Sequence, residues 1–358
     1  MSVDRAPLVR EGWNGPDGRD ATITPLRPEE DGLHIDMSKK GVYEWWYFDA
    51  HLESGQTVVA FFYAANPNPG VAGKTGVEVV INRPNGTKVQ RFVPYDRGAF
   101  KAARDRADVK IGDNYLKVEQ AADGLPVYEV MIKEEGLGCH LRYKAEVNGW
   151  KPGSGMSHFG DLGYFAWVVP FARASVEGTV TDGERTFQVK GVGYHDHNWL
   201  DFSFQSIIEY WMWGRVYSKR FTVSFAFIQC NDKVGRHAVK VLMLADGREV
   251  VLSTGNFDFI KEGFVPHPNA AYTYPRKVTI RVPNELEVEL TVRKVLESQD
   301  MLASFGAPLR FIARNVLRLR PWYYRLESDF VVSASRDEKR ETEKGTTLHE
   351  IVMFRSAE

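Results

Sequence analysis

From residue 42 onward the apolar positions of the chain recur every second residue, in short runs broken by turn-forming residues. A period of two is the signature of strands with one face buried. A first series runs through 42–52, 57–64, 76–82, 89–94, 115–120, 127–133, 141–147, 164–169, 175–181 and 186–194. A second runs through 207–216, 221–229, 238–244, 249–253, 277–282, 286–295, 324–333 and 347–354. The breaks carry hairpin chemistry: Asn85-Gly86, Asp123-Gly124, Asp182-Gly183 and Asp246-Gly247 all place a residue tolerant of positive φ where two strands must reverse. Residues 1–40 lack the period and read as an irregular arm. Only 308–319 has helical spacing, with Leu309, Ile312, Val316 and Leu319 on one face. The pattern predicts an all-β chain of barrels or sandwiches with one short helix near the C-terminus.

At 358 residues the chain exceeds what one core fills, so two domains are expected, 1–205 and 206–358. Lys and Arg total 46 against 47 for Asp and Glu, a balance that gives no field for nucleic acid or an anionic membrane surface. Neither a signal peptide nor a run approaching the ~20 apolar residues of a membrane span is evident, so the expected location is cytoplasmic, with no integral membrane segment. Cys139 and Cys230 each lie in an apolar strand and read as small buried hydrophobes. Oligomeric state is not encoded in any pattern found.

Aromatic residues make up 13% of the chain, and two stretches concentrate them with polar groups. One is Tyr43-Glu44-Trp45-Trp46-Tyr47-Phe48-Asp49-Ala50; the other is Gly191-Val192-Gly193-Tyr194-His195-Asp196-His197-Asn198-Trp199. As strands, each divides between two faces. Tyr43, Trp45, Tyr47 and Asp49 oppose Glu44, Trp46 and Phe48; Tyr194, Asp196 and Asn198 oppose His195, His197 and Trp199. Five polar residues in one strand are costly to bury unless every group is paired, which favours a site over a plain core. The plainer reading is a buried polar network closing a barrel end.

His195-x-His197 also suits a metal, but no third ligand stands at a matching offset; Asp201 and Glu209 are near in sequence only, and no metal is expected. Gly153-Ser154-Gly155 is not a nucleophile elbow, and Gly191-x-Gly193 is not followed by a helix, which removes a dinucleotide fingerprint.

These two stretches, with Ala166-Trp167-Val168-Val169-Pro170, Val176-Glu177-Gly178 and a weaker C-terminal set (Tyr323-Tyr324-Arg325, Ser328-Asp329-Phe330, His349-Glu350), resemble the carotenoid 1,2-hydratase and AttH-like superfamily, which also contains decalin-forming Diels-Alderases. The resemblance implies two lipocalin-like domains, no cofactor, and an acid at Asp196, the Asp of a Tyr-x-Asp-x-Asn segment. In the hydratases that Asn precedes Gly and Pro-Leu-Glu; here Trp199-Leu200-Asp201-Phe202 follows, so the residues fit the wider superfamily.

The expected chemistry is protonation of an isoprenoid or polyene alkene by a neutral Asp196, with Tyr194, His195 and His197 as its catalytic neighbours. The expected substrate wall is Trp45, Trp46, Tyr47, Asp49, Asn198, Trp199, Trp211 and Trp213, whose rings would stabilise a carbocation. Two alternatives stay open: a pericyclase that acts by confining a polyene, and a non-catalytic carrier of a lipophilic ligand.

Overall fold

The alternation read from the sequence becomes two curled antiparallel sheets in a computed structural model that describes residues 8–13, 23–266, 272–303, 306–316, 319–336 and 339–354. The chain separates into two units: residues 23–202 with 247–250, and residues 203–246 and 251–354 with residues 8–13. The nearly all-β architecture expected from the pattern is the one observed, as two curled sheets of the kind that the resemblance implies.

In the first unit twelve strands form one sheet. Its centre is the antiparallel pair Tyr43–Leu52 and Arg185–Leu200. Thr57–Ala65, Thr75–Asn82 and Lys88–Tyr95 extend it on one side; Tyr164–Asp182, Leu137–Ala145, Pro126–Glu134 and Asn114–Gln120 extend it on the other. The two ends approach each other: the Tyr95 hydroxyl, near one edge, donates to Glu134 Oε1 at 2.6 Å and accepts from Asn114 Nδ2 at 3.1 Å. Curling turns one face inward, where Trp46, Phe48, Phe62, Val130, Leu141, Tyr143 and Phe171 are fully buried.

The Asn-Gly and Asp-Gly turns lie where the sequence puts them, with Gly86, Gly124, Gly183 and Gly247 all at positive φ. Two expected strands, 164–169 and 175–181, are one continuous strand, Tyr164–Asp182. Pro170 cannot donate to a ladder, and the sheet accommodates it with register shifts on both sides of Phe171.

Among the described residues the second unit holds nine strands, centred on Ile208–Tyr217 and Lys339–Met353, over a core that includes Met212, Phe221, Phe225, Leu290, Tyr324 and Phe330. The strand Asp258–Pro266 was not expected, because at this sheet edge Ile260 lies on the exposed face and Lys261 on the covered one, which breaks the apolar alternation. The helix spans Ala307–Asn315 rather than 308–319, and Val316 is exposed. Among the described residues no helix is long and apolar enough to cross a membrane. Both cysteines are buried and free.

Candidate functional site

The two aromatic and polar stretches are neighbours, and their register decides what each side chain meets. Glu44 pairs with Trp199, Trp46 with His197, Tyr47 with Asp196, Phe48 with His195 and Asp49 with Tyr194. Such close strand packing leaves no room for side chains at two positions on the second strand. A Cβ on Gly191 would lie 2.1 Å from the His51 carbonyl oxygen, and one on Gly193 would lie 2.6 Å from the Tyr143 ring.

The inner face carries Glu44, Trp46, Phe48, His195 and His197, each with 0% exposure. The irregular arm adds Asp31 and His34 to this cluster. His195 Nδ1 lies 2.9 Å from the Tyr47 carbonyl oxygen and Nε2 lies 3.1 Å from Asp31 Oδ2, which also accepts the Tyr128 hydroxyl at 2.6 Å. His197 stands between carboxylates, with Nε2 2.9 Å from Glu44 Oε1 and Nδ1 in an ion pair 3.3 Å from Asp31 Oδ1. Glu44 also accepts the backbone N–H groups of His34 and Ile35, each at 2.8 Å.

Burial would strip His197 of its charge, but Asp31 and Glu44 raise its pKa to about 9. Burial would likewise push Asp31 up, and His195 and His197 instead hold it well below the usual carboxylate range. Rings seal the set. Phe48 stacks on His195 at 3.8 Å, Trp46 on His197 at 4.4 Å and His34 on Trp199 at 3.7 Å, while Trp46 Nε1 donates to the Asp31 carbonyl at 3.0 Å.

The outer face carries Trp45, Tyr47, Asp49, Tyr194, Asp196 and Asn198, joined from flanking strands by Phe61, Tyr63 and Trp167. Asp196 Oδ2 accepts from Trp167 Nε1 and the Tyr194 hydroxyl, both at 3.0 Å, and Oδ1 accepts from Asn198 Nδ2 at 2.8 Å. Its hydrogen-bond donors are all neutral, and the charge of His195 acts on it from the inner side of the same strand. Burial therefore dominates, and the carboxyl is pushed up to about 6 against the opposing effects of its neighbours. Asp196 keeps 8% exposure and Trp45 9%, whereas the inner imidazoles have none.

The expected site residues thus fall into three places. Asp196, Tyr194, Asn198, Trp45, Tyr47 and Asp49 share the outer face; His195, His197, Trp46 and Trp199 lie on the inner face of the same strands. Trp211 and Trp213 belong to the second unit, where Trp211 meets the edges of Phe204 and Phe354 and Trp213 lies under the Arg215 guanidinium at 5.2 Å. Sequence reasoning missed Asp31, His34, Tyr128 and the role of Trp167. Among the described residues no three His, Cys, Asp or Glu side chains are grouped to hold a metal ion.

Comparison with known proteins adds a family. The family model described as AttH-like matches residues 27–308. The chain is 24% identical over 299 residues to hydroxyneurosporene dehydrogenase of Chlorobaculum tepidum, covering 73% of this chain and 76% of that protein. The fold resembles that of CghA crystallised with Sch210972, with TM-score 0.63 and 12% identity over 98% of this chain and 99% of CghA. It also resembles kievitone hydratase from Nectria haematococca, with TM-score 0.53 and 14% identity over 92% and 98% of the two chains.

Proposed function

The chain belongs to the AttH-like family, and from that premise we propose that it is a cofactor-independent enzyme that protonates an alkene of an apolar isoprenoid or polyene, with Asp196 as the acid. The observation that carries this reading is the Asp196 carboxyl, buried on the outer face among neutral hydrogen-bond donors and pushed up to about 6. A carboxyl in that range keeps a transferable proton near neutrality.

Its hydrogen bonds favour one oxygen as the seat of the proton. Oδ2 already accepts two donors, whereas Oδ1 accepts only Asn198, so the acid proton belongs on Oδ1. Transfer to the less substituted alkene carbon leaves a tertiary cation, which the faces of Trp45, Trp167 or Tyr47 stabilise by ~1–2 kcal/mol each when desolvated. Water captures the cation in a hydration; an internal alkene captures it in a cyclisation. The names of two relatives, a hydroxyneurosporene dehydrogenase and a kievitone hydratase, are in keeping with substrates of this type.

The test is incubation of the purified chain with neurosporene in detergent micelles in heavy-oxygen water. One labelled hydroxyl per product supports hydration, and an unlabelled isomer supports cyclisation. Asp196→Asn should slow either reaction on the order of a hundredfold while neurosporene binding is kept. An Asn variant that folds, binds and turns over at the parental rate overturns the acid assignment and favours confinement alone, the reading in keeping with the likeness to CghA.

A further inference from the structure

Among the described residues the two most exposed large apolar side chains are Val316, 67% exposed, and Phe311, 64% exposed. Both stand in the excursion that joins the strands Leu286–Asp300 and Trp322–Arg336 of the second unit. A single exposed apolar residue is ordinary on a protein surface, whereas several gathered in one place call for a partner.

The helix Ala307–Asn315 turns Ala307, Phe311, Arg314 and Asn315 outward, positions that share one helical face, while Arg310 and Ala313 are half-buried. Phe311 thus lies outside the face that the spacing of Leu309, Ile312, Val316 and Leu319 marks as apolar. Val316 belongs to that face in the sequence, but the helix ends before it.

The excursion is tied to the sheet at its base, where Asp300 pairs with Trp322. Asp300 Oδ1 accepts the Leu302 N–H at 2.9 Å, Oδ2 accepts from the Arg314 guanidinium, and the Met301 N–H donates to the Pro321 carbonyl at 3.0 Å. Further apolar residues are exposed at the same end of the sheet. The Tyr272 hydroxyl donates to the Arg320 carbonyl at 2.8 Å, and the adjoining Thr273 pairs with Pro266, which brings Phe264, 55% exposed, to this end. Leu296, 38% exposed, precedes Asp300 on its strand.

Charge selects the occupant. From Met301 to Leu326 the sequence has no Asp or Glu. Within that stretch Arg314 and Arg320 are exposed and Arg310 is half-buried, and Lys294 is exposed near Leu296. Asp300, the acid that precedes the stretch, is already paired with Arg314. A second copy of this face would bring like charges together across a two-fold axis. Anionic headgroups instead attract the arginines, and the acyl boundary beneath them accepts Phe and Val. The chain-wide balance of 46 basic and 47 acidic residues does not oppose this, because exposed charges more than about 8–10 Å away are screened at physiological salt.

We propose that this end of the second unit is a membrane-docking surface. Phe311 and Val316 enter the headgroup region of an anionic bilayer, and Arg310, Arg314 and Arg320 meet lipid phosphates. The docking is peripheral, since a helix of 9 residues is far short of a span. It does not depend on the assignment of Asp196.

The experiment is flotation of the full chain, without substrate, on vesicles of phosphatidylcholine alone or mixed in equal parts with phosphatidylglycerol. The parent should bind the anionic vesicles and leave the neutral ones largely free, and added salt should release it. The double variant Phe311→Ser with Val316→Ser should bind about tenfold more weakly or worse, with an unchanged melting temperature, because both side chains are exposed in the free chain. Arg320→Gln should weaken binding roughly fivefold. Leu162→Ser, which alters an exposed apolar residue of the first unit, should bind as the parent does. No binding by the parent, equal binding to the two vesicle types, or a double variant that floats like the parent overturns the proposal. So does a dimer in sedimentation that the double variant splits, which gives the face to a second copy. Asp196→Asn should float as the parent does, so failure of the acid assignment leaves this result untouched.

Discussion

The inner and outer faces of the same two strands hold the same kinds of groups and treat them in opposite ways. On the inner face Asp31 and Glu44 meet imidazoles and backbone N–H groups, and the cluster lies charged under a seal of stacked rings. On the outer face Asp196 meets a phenol, an indole and an amide, all neutral donors, and burial pushes its carboxyl up to about 6. The inner carboxyl Asp31 is held ionised by imidazoles in direct contact with it, whereas the outer one, hydrogen-bonded only to neutral donors, is pushed up by burial. The inner cluster ties the irregular arm to the sheet.

The largest expected effect tests the inner half of that contrast. His197→Ala leaves Asp31 and Glu44 buried without their shared cation, and breaking a buried pair from one side costs about 3–5 kcal/mol. Urea unfolding should show this loss. On the outer face Asn198→Ala removes one neutral donor from Asp196 and should cost about 1 kcal/mol. Equal losses in the two variants would mean that the inner cluster is not held by charge.

Next in size is the contrast between two adjacent tryptophans. Trp46 is fully buried, stacks on His197 and donates to the Asp31 carbonyl, so Trp46→Leu should lower stability by about 3 kcal/mol. Trp45 points the other way, beside Tyr63 in register and opposite Asn198. If the outer face is a substrate wall, Trp45→Leu should instead weaken binding of an apolar polyene probe by about tenfold, with a smaller change in melting temperature. Paired melting and fluorescence-quenching measurements separate the two, and a Trp45 variant that loses only stability would place that residue in the core.

Which side chains share a face was legible in the sequence, because a strand permits only one alternation: Tyr194, Asp196 and Asn198 on one side and His195, His197 and Trp199 on the other. Which face turns inward was not. Both carried rings and acids, so burial could not be assigned until the sheet's curl was known. Asp31 and His34 were hidden for another reason. They lie in an arm without any period, and only the fold brings them to within hydrogen-bond reach of His195 and Glu44. Trp167 was obscured by Pro170, which divides its strand in the sequence but is absorbed by bulges in the sheet. The Asn-Gly and Asp-Gly turns were readable because positive φ is a local demand.

The effect that compares the faces most directly is the pH dependence of stability. His197 is raised to about 9, so its contribution is fully present below the ordinary imidazole value of 6.5 and fades as pH rises through 9. Asp31 is depressed, so its contribution is present above the ordinary carboxylate value of 3.8 and is lost only as pH falls well below that. Asp196 runs against both. Its folded form holds a proton that the unfolded chain releases, so it favours the folded state at acid pH, and that advantage disappears as pH rises from 3.8 through about 6. Asp196→Asn cannot titrate. Relative to the parent, the variant should therefore gain about 2 kcal/mol of stability between about pH 4.5 and about pH 7, whatever its absolute stability. His197→Ala should not show a gain of that size, since the parent's His197 contribution is full below 6.5 and only begins to fade at the top of that window. Urea unfolding of the three proteins at the two pH values decides the matter. If the difference between Asp196→Asn and the parent is flat with pH, the outer carboxyl is already ionised in the fold, and the two faces do not differ in the way their neighbours imply.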